Sequence, residues 1–94
     1  MAAYIVAVSN VSNADQLREY VAGAIPTMSG VEVVAADEAA VTLEGDDRHR
    51  VVILKFESEE AARAWYDSEA YSAVRPLRQG ATTDGWLGLA RGLS

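Results

Sequence analysis

Residues 50–78 read RVVILKFESEEAARAWYDSEAYSAVRPLR, and this segment decides the fold. Its first seven residues, Arg50 to Phe56, are mostly apolar and predict a β-strand. One face of the strand is formed by Val51, Ile53 and Lys55, and the opposite face by Val52, Leu54 and Phe56. Both faces are mostly apolar, whereas a strand with one face in water alternates apolar and polar residues. We therefore expect both faces of this strand to be covered.

The hydrophobic period then changes from two to 3.6 at Glu57 and Ser58, which predicts a helix. Ser58 is a good N-cap, because its hydroxyl can accept a hydrogen bond from a free backbone N–H of the first turn. Glu59 and Glu60 fall in that turn, where the helix dipole favours negative charge. The apolar side of this helix is formed by Ala61, Ala62, Trp65 and Tyr66, and Asp67 and Ser68 end it. A second short helix contains Tyr71, Val74, Leu77 and Arg78, with Pro76 limiting its regularity.

The N-terminal part of the chain predicts a strand, Ala3 to Val8, that is also apolar on both faces, followed by a helix. Asn13 can cap this helix, with Gln16 as its capping-box partner. Residues at helical spacing form one apolar face, made of Ala14, Leu17, Val21, Ala24, Ile25 and Met28. Gly23 and Pro26 predict a kink or an early end.

The remaining segments complete the order strand, helix, strand, strand, helices, strand. Residues 31–36 predict a strand, residues 41–43 resume extended structure, and residues 44–47 form a turn. Residues 80–84 link the last helix to a final strand, residues 85–90. This order predicts an α+β fold over a single domain, residues 1–94: the ferredoxin-like βαββαβ plan, a four-stranded antiparallel sheet with helices on one face.

The bare face of such a sheet explains the two-sided strands. A second copy of the chain, packed sheet to sheet, would cover it and form a dimeric α/β barrel. The alternative is a monomer with unusually apolar strands, which would expose much apolar surface.

The composition limits the kinds of partner and compartment. The formal net charge is −6, which on average repels phosphate backbones, so we expect no nucleic-acid partner. The chain has no cysteine, which fits a reducing compartment such as the cytoplasm. No apolar run approaches membrane-spanning length and no signal peptide is recognisable, so no membrane association is expected.

Several of these motifs occur in one combination. Its members are Glu44 to Asp46, the strand Arg50 to Phe56, residues 60–68, Tyr71 and residues 77–79, with further matches at Tyr4, Ile5, Tyr20, Pro26 and Gly30. This combination closely resembles domain-of-unknown-function family 1330 of the dimeric α/β-barrel superfamily. The likeness covers nearly the whole chain, and it implies the same fold and a homodimer.

The resemblance does not choose a function. The family has no established activity, and its superfamily includes cofactor-free monooxygenases, isomerases, haem-degrading enzymes and stress-responsive proteins. The chain also departs from the family at residues 35–38, where an arginine and a glycine pair are common. Three interpretations stay open: a homodimer that binds a small, partly apolar or anionic ligand between sheet and helices, a cofactor-independent monooxygenase or isomerase, and a non-catalytic assembly or stress-related module.

The ligand-binding hypothesis depends on a few side chains. In a helix, Arg75, Arg78 and Tyr71 can converge on one face and bind a carboxylate or enolate oxygen. The alternative is that both arginines bond neighbouring carboxylates and carbonyls. Trp65 and Tyr66 are candidate pocket walls, although large aromatic residues at helical spacing are usually core.

Other polar residues carry weaker hypotheses, and no catalytic residue is assigned. Glu44 lies on the family's Glu-Gly pattern and can pair with Arg50 or with an arginine of a partner subunit. His49, the single histidine, is interpreted as a solvated loop residue. With one histidine and no cysteine, the sequence offers no usual transition-metal site, and it indicates no cofactor.

Overall fold

The helices and strands of the chain follow the predicted order. A computed structural model describes residues 1–93. The elements are β1 (Ala3–Val11), α1 (Ala14–Ala24), a 3₁₀ turn (Ile25–Thr27), β2 (Glu32–Asp37), β3 (Arg50–Phe56), α2 (Glu59–Asp67), α3 (Glu69–Ala81) and β4 (Thr82–Arg91). The strands form one antiparallel sheet in the order β2-β3-β1-β4. This is the ferredoxin-like βαββαβ fold, as predicted.

One face of the sheet carries the core. In the ladder between β1 and β3, Ile5 pairs with Leu54 and Ala3 pairs with Phe56, and all four side chains are buried. They pack against buried residues of the three helices, which are Leu17, Tyr20, Ala24, Ala62, Trp65, Tyr71 and Ala81. Burial of these apolar side chains is the main term that holds the helices on the sheet.

The opposite face of the sheet is also apolar but is not covered by a helix of the described chain. It carries Tyr4, Val6 and Val8 of β1, Val51 and Ile53 of β3, and Trp86 of β4. Trp86 is 58% exposed, and its ring lies across Gly88. The strands are therefore two-sided, as their sequences predict. We call this surface the open face.

Helix α1 begins and ends for local reasons. The side chain of Asn13 accepts a hydrogen bond from the backbone N–H of Gln16, which caps its first turn. The helix ends at Ala24, and Pro26 lies in the 3₁₀ turn, so the predicted early end is confirmed.

The predicted apolar face of α1 is partly wrong. Tyr20 is buried beside Leu17 and Ala24, whereas Val21 and Ile25 are 40% and 63% exposed. The helix is rotated about its axis relative to the prediction, because the large ring of Tyr20 fills the space above the sheet.

The segment between β2 and β3 corrects a second expectation. Residues 41–43 form no strand, because β2 already ends at Asp37, which pairs with Val51 near the start of β3. The segment is an irregular loop closed by hydrogen bonds from Ala40 N to His49 O and from Arg48 N to the Thr42 hydroxyl.

The end of α3 corrects a third expectation. The helix continues through Pro76 to Ala81, and β4 begins at Thr82 with no linking residues. The carbonyl of Ala81 accepts hydrogen bonds from the backbone N–H groups of Ser12 and Asn13, at 2.8 and 3.1 Å. These bonds fix the turn from α3 into β4 at the point where β1 turns into α1, and Thr82 then pairs with Val11.

Ser68 separates α2 from α3. Its hydroxyl donates a hydrogen bond to the carbonyl of Trp65 and accepts one from the backbone N–H of Tyr71. One side chain thus ends α2 and caps α3. Among residues 1–93, no helix has both the length and the apolar character that crossing a membrane would need.

Candidate functional site

The three predicted ligand contacts on α3 separate into two groups. Tyr71 is fully buried, and the Nε–H of Arg78 donates a hydrogen bond of 3.4 Å to its hydroxyl. The guanidinium of Arg75 instead lies 4.5 Å from the ring centroid of Tyr66 and donates to the hydroxyl of Ser72. The structure therefore brings Tyr71 and Arg78 together and places Arg75 in a cation–π contact elsewhere on the helix.

Tyr71 also joins α3 to α1 through a contact with Tyr20. Its hydroxyl lies 2.8 Å from the hydroxyl of Tyr20, and the two rings meet edge to face at 6.2 Å. Burial raises the pKa of Tyr20 above its ordinary value, and the hydrogen bond with Tyr71 adds to the increase. The hydroxyl of Tyr20 therefore stays protonated at physiological pH.

Arg50 is the unusual residue of this region. It is the first residue of β3, and only 5% of it is exposed. Within residues 1–93, its side chain takes part in no ion pair and no hydrogen bond. Burial lowers the pKa of Arg50, and the positive charge of Arg78 lowers it further. The charge of Glu38 acts in the opposite direction, although Glu38 forms no direct ion pair with Arg50. A guanidinium remains charged, so a largely buried residue holds a cation that no direct ion pair within residues 1–93 neutralises.

Arg50 and Tyr20 line the same cleft. It encloses about 440 Å³ between α1 and the β2–β3 pair. Its apolar walls are formed by Val21, Ala24, Ile25, Met28, Val33 and Val52. Asp37 and Glu38 also line it, and both are exposed, whereas Arg50 and Tyr20 are buried. The cleft thus has a deep end with hydrogen-bond donors, apolar walls and an acidic outer edge.

The aromatic candidates on α2 lie on other surfaces. Trp65 is 8% exposed, stacks on Tyr71 with ring centroids 3.9 Å apart, and donates from Nε1 to the hydroxyl of Thr27. Tyr66 is half-buried between Tyr71 and Arg75. Neither residue lines the cleft of Arg50, and their role as ligand walls stays a prediction, as does that of Arg75.

Glu44 and His49 lie in the loop before β3. Glu44 is exposed and, within the described residues, forms no ion pair with Arg50, whose side chain is buried against the helices. Its pairing with a partner's arginine stays a prediction. His49 is exposed, but its Nε2 accepts a hydrogen bond of 3.1 Å from the backbone N–H of Val11, so the ring also has a structural contact. Among residues 1–93, no cluster of three or more metal-ligating side chains occurs.

Arg50 and Tyr20 are not among the predicted site residues, although the sequence contains a signal for each. Arg50 has the same strand parity as Val52, Leu54 and Phe56, and a charge on a covered face is unusual. Tyr20 lies three residues after Leu17 and four before Ala24, which places it on the buried stripe of α1.

Comparisons with known proteins agree with the fold. Residues 2–90 match the model of a family described as Domain of unknown function (DUF1330). No curated protein matches the chain.

Solved structures with the same fold come from several bacteria. A protein of unknown function from Rhodopseudomonas palustris, RPA0582, is 18% identical with a TM-score of 0.82, over 99% of this chain and 83% of that chain. A dimeric ferredoxin-like protein of unknown function from Jannaschia sp. is 11% identical with a TM-score of 0.76, over 98% and 100% of the two chains. SnoaB, a cofactor-independent oxygenase from Streptomyces nogalater, is 12% identical with a TM-score of 0.68, over 99% and 94%. At these identities the likeness establishes the fold alone.

Proposed function

This chain belongs to the domain of unknown function family DUF1330, and we propose that it binds a small, partly apolar anion in the cleft between α1 and the β2–β3 pair. We also propose that it does so as a homodimer formed through the open face.

The observation that carries the binding proposal is the charge of Arg50, a largely buried residue that forms no direct ion pair within residues 1–93. Removing a guanidinium from water costs about 3 kcal/mol or more unless a counterion or hydrogen-bond acceptors replace the water. Within residues 1–93, no ion pair supplies that counterion, and the side chain borders the cleft. An anionic ligand at this position would complete the missing contacts.

The walls of the cleft indicate the rest of the ligand. Val21, Ile25 and Val33 are large apolar side chains that are 40–63% exposed, and all three line the cleft. A volume of about 440 Å³ lies within the range usual for small-molecule sites. An apolar body bound along these side chains would remove them from water, which favours an anion with a hydrocarbon or ring portion.

Calorimetric titration with octanoate tests this proposal. We expect wild-type protein to bind octanoate and to bind octan-1-ol, which has the same chain without the charge, at least tenfold more weakly. Arg50→Met removes the cation with little change in volume and should abolish octanoate binding. Arg75→Met, which removes an arginine outside the cleft, is the matched control and should bind as the wild type does. Equal octanoate affinity in Arg50→Met and wild type would refute the proposal, as would no octanoate binding by the wild type.

The homodimer proposal rests on the open face. Tyr4, Val6, Ile53 and Trp86 form an apolar surface of the kind that soluble proteins usually cover. Lys55 is the charged residue of β3 on this face, and it lies opposite Glu32 of the same chain in the β2–β3 ladder. The likeness in fold to a dimeric protein from Jannaschia sp. supports a second copy of the chain as the partner that covers the open face.

Light scattering coupled to size exclusion tests the dimer. We expect a mass near twice 10.1 kDa for the wild type. Ile53→Glu, in the middle of the open face, should give a monomer. Val41→Glu introduces the same charge on the exposed β2–β3 loop and should remain a dimer. A wild-type monomer at high micromolar concentration would contradict the proposal.

The cytoplasmic location and the absence of a nucleic-acid partner stay predictions from composition.

A further inference from the structure

Tyr20, which lines the cleft, is the last member of a chain of hydrogen bonds that begins at the cation of Arg78. The Nε–H of Arg78 can only donate, so the oxygen of Tyr71 is the acceptor of that bond. A cation beside a phenol oxygen makes its O–H a better donor and its lone pairs poorer acceptors. The bond of 2.8 Å between the two tyrosines is therefore best satisfied when Tyr71 donates its proton to the oxygen of Tyr20.

This orientation leaves the proton of Tyr20 free. Within residues 1–93, the hydroxyl of Tyr20 has no hydrogen-bond partner other than Tyr71. Tyr20 lines the cleft together with Arg50, and each residue is more than nine-tenths buried. The deep end therefore presents two kinds of donor, a guanidinium and an O–H group. The carboxylates that border the cleft, Asp37 and Glu38, belong to exposed residues.

We propose that the ligand's anionic group is a carboxylate held jointly by the guanidinium of Arg50 and by the hydroxyl of Tyr20, which Tyr71 and Arg78 orient as a donor. This inference rests on the proposed function and names its ligand class. A carboxylate is planar and offers two oxygens, which matches the fork of an arginine and one further donor. A phosphate monoester carries up to two charges and three terminal oxygens, so the two donors would leave it incompletely bonded near the carboxylates of Asp37 and Glu38.

The first test compares head groups on one hydrocarbon chain. Wild-type protein should bind octanoate at least tenfold more tightly than octyl phosphate and than octanamide, as measured by calorimetry. Tighter binding of octyl phosphate would overturn the carboxylate assignment while leaving an anion site at Arg50.

The second test removes the proposed donor. Tyr20→Phe deletes one oxygen, and we expect it to weaken octanoate binding about tenfold, as is usual for loss of a hydrogen bond to a charged group. Tyr71→Phe leaves the Tyr20 hydroxyl in place but removes the group that orients it, so a smaller loss, about two- to fivefold, is expected. Tyr66→Phe, on α2 and outside the cleft, is the matched control and should leave the affinity unchanged. Unchanged affinity in Tyr20→Phe would overturn the inference.

A spectroscopic measurement separates a direct contact from a structural effect. The infrared carboxylate bands of octanoate labelled with ¹³C at the carboxyl carbon should shift when it binds the wild type. In Tyr20→Phe and Tyr71→Phe, the shift should be smaller at saturating ligand, and in Tyr66→Phe it should be the same as in the wild type. Identical bands in all four proteins would overturn the role of Tyr20 and leave the role of Arg50 standing. The role of Arg50 would be overturned separately, if Arg50→Met bound octanoate as the wild type does.

Discussion

The indole nitrogen of Trp65 donates a hydrogen bond to the hydroxyl of Thr27, 3.0 Å away, and that hydroxyl donates to the carbonyl of Ala24 at 2.6 Å. One side chain thus joins α2 to the end of α1. Trp65 is almost fully buried, so its N–H group has little access to water. The hydroxyl of Thr27 should therefore contribute to the stability of the helix layer.

Thr27→Val should lower the free energy of unfolding by about 1–3 kcal/mol, because it leaves the indole N–H buried and unpaired at constant shape. Urea denaturation followed by circular dichroism measures the change. Thr83→Val, at an exposed position of β4, is the control and should change stability by less than about 0.5 kcal/mol. Equal effects of the two substitutions would show that the Trp65 bond is not formed in solution.

Arg50→Met should preserve or increase stability without ligand, by up to about 1–2 kcal/mol, although it removes ligand binding. The reason is that an unpaired buried cation costs free energy in the folded state, and methionine fills a similar space with apolar atoms. Urea denaturation in a buffer without carboxylates checks this. A loss of about 3 kcal/mol or more would indicate that Arg50 has a counterion within the protein.

Pro76→Ala should raise the free energy of unfolding by about 1–3 kcal/mol. Pro76 is exposed inside α3, where it cannot donate the N–H that an α-helix would use at that position. Thermal unfolding should show a higher midpoint for the variant. A lower midpoint would mean that the restriction which proline places on the unfolded chain outweighs the missing hydrogen bond.

The raised pKa of Tyr20 predicts how stability changes in alkaline solution. Burial is the main cause of the increase over the ordinary value of 10.0, and the bond with Tyr71 is the second. Above about pH 10, an unfolded chain releases this proton while the folded protein keeps it, so the unfolded state is favoured. The contribution of Tyr20 is fully present below pH 10 and is lost as the pH rises above it.

Tyr20→Phe should therefore lose stability less steeply than the wild type between about pH 10 and pH 11.5. Urea denaturation at several pH values gives the two slopes. Parallel curves would contradict the prediction, because they would mean that Tyr20 titrates alike in the folded and unfolded states.

Gly88→Ala should move the ring of Trp86 away from the open face. The ring lies in the place that a β-carbon of residue 88 would occupy. We expect a shift in tryptophan fluorescence and about tenfold weaker association of the proposed dimer, because the Trp86 ring would leave its place over Gly88. Gly85→Ala is the matched control, since its β-carbon would meet only ordinary contacts at 3.9 Å. Unchanged fluorescence and dimer affinity in Gly88→Ala would count against this geometry.

Hydrophobic periodicity was enough to predict the sheet and the helix order. The two-sided strands around Ile5 and Ile53 are long apolar runs, and Asn13 and Ser58 cap their helices as predicted. Two predicted strand boundaries are wrong, because they depend on contacts between segments that are distant in the sequence. The start of β4 at Thr82 depends on pairing with Val11, and residues 41–43 lack a strand partner. Neither reason is visible in the local sequence.

The candidate site was harder to predict because its residues come from three elements. Tyr71 and Arg78 are neighbours on α3, so helical spacing predicted their contact correctly. Their approach to Tyr20 on α1 and to Arg50 on β3 depends on helix rotation and on packing over the sheet. Arg75 follows Tyr71 by four residues, a spacing that also places two side chains on one face of a helix. The Arg75 side chain instead stacks on the ring of Tyr66, on another surface.

The carbonyl of Ala81, which accepts two hydrogen bonds, also bears on how the proposed ligand would enter the cleft. Ser12 and Asn13, which lead into α1, are hydrogen-bonded to the residue that ends α3, so these two helices are joined at this point. Tyr20, Tyr71 and Arg78 all lie on these two helices, so we expect their relative positions to be the same with and without the proposed ligand. We therefore expect any opening of the cleft to come from its other wall, the edge strand β2 and the loop after it. The association rate should accordingly respond to changes in residues 33–38 and not to changes that loosen the helix pair.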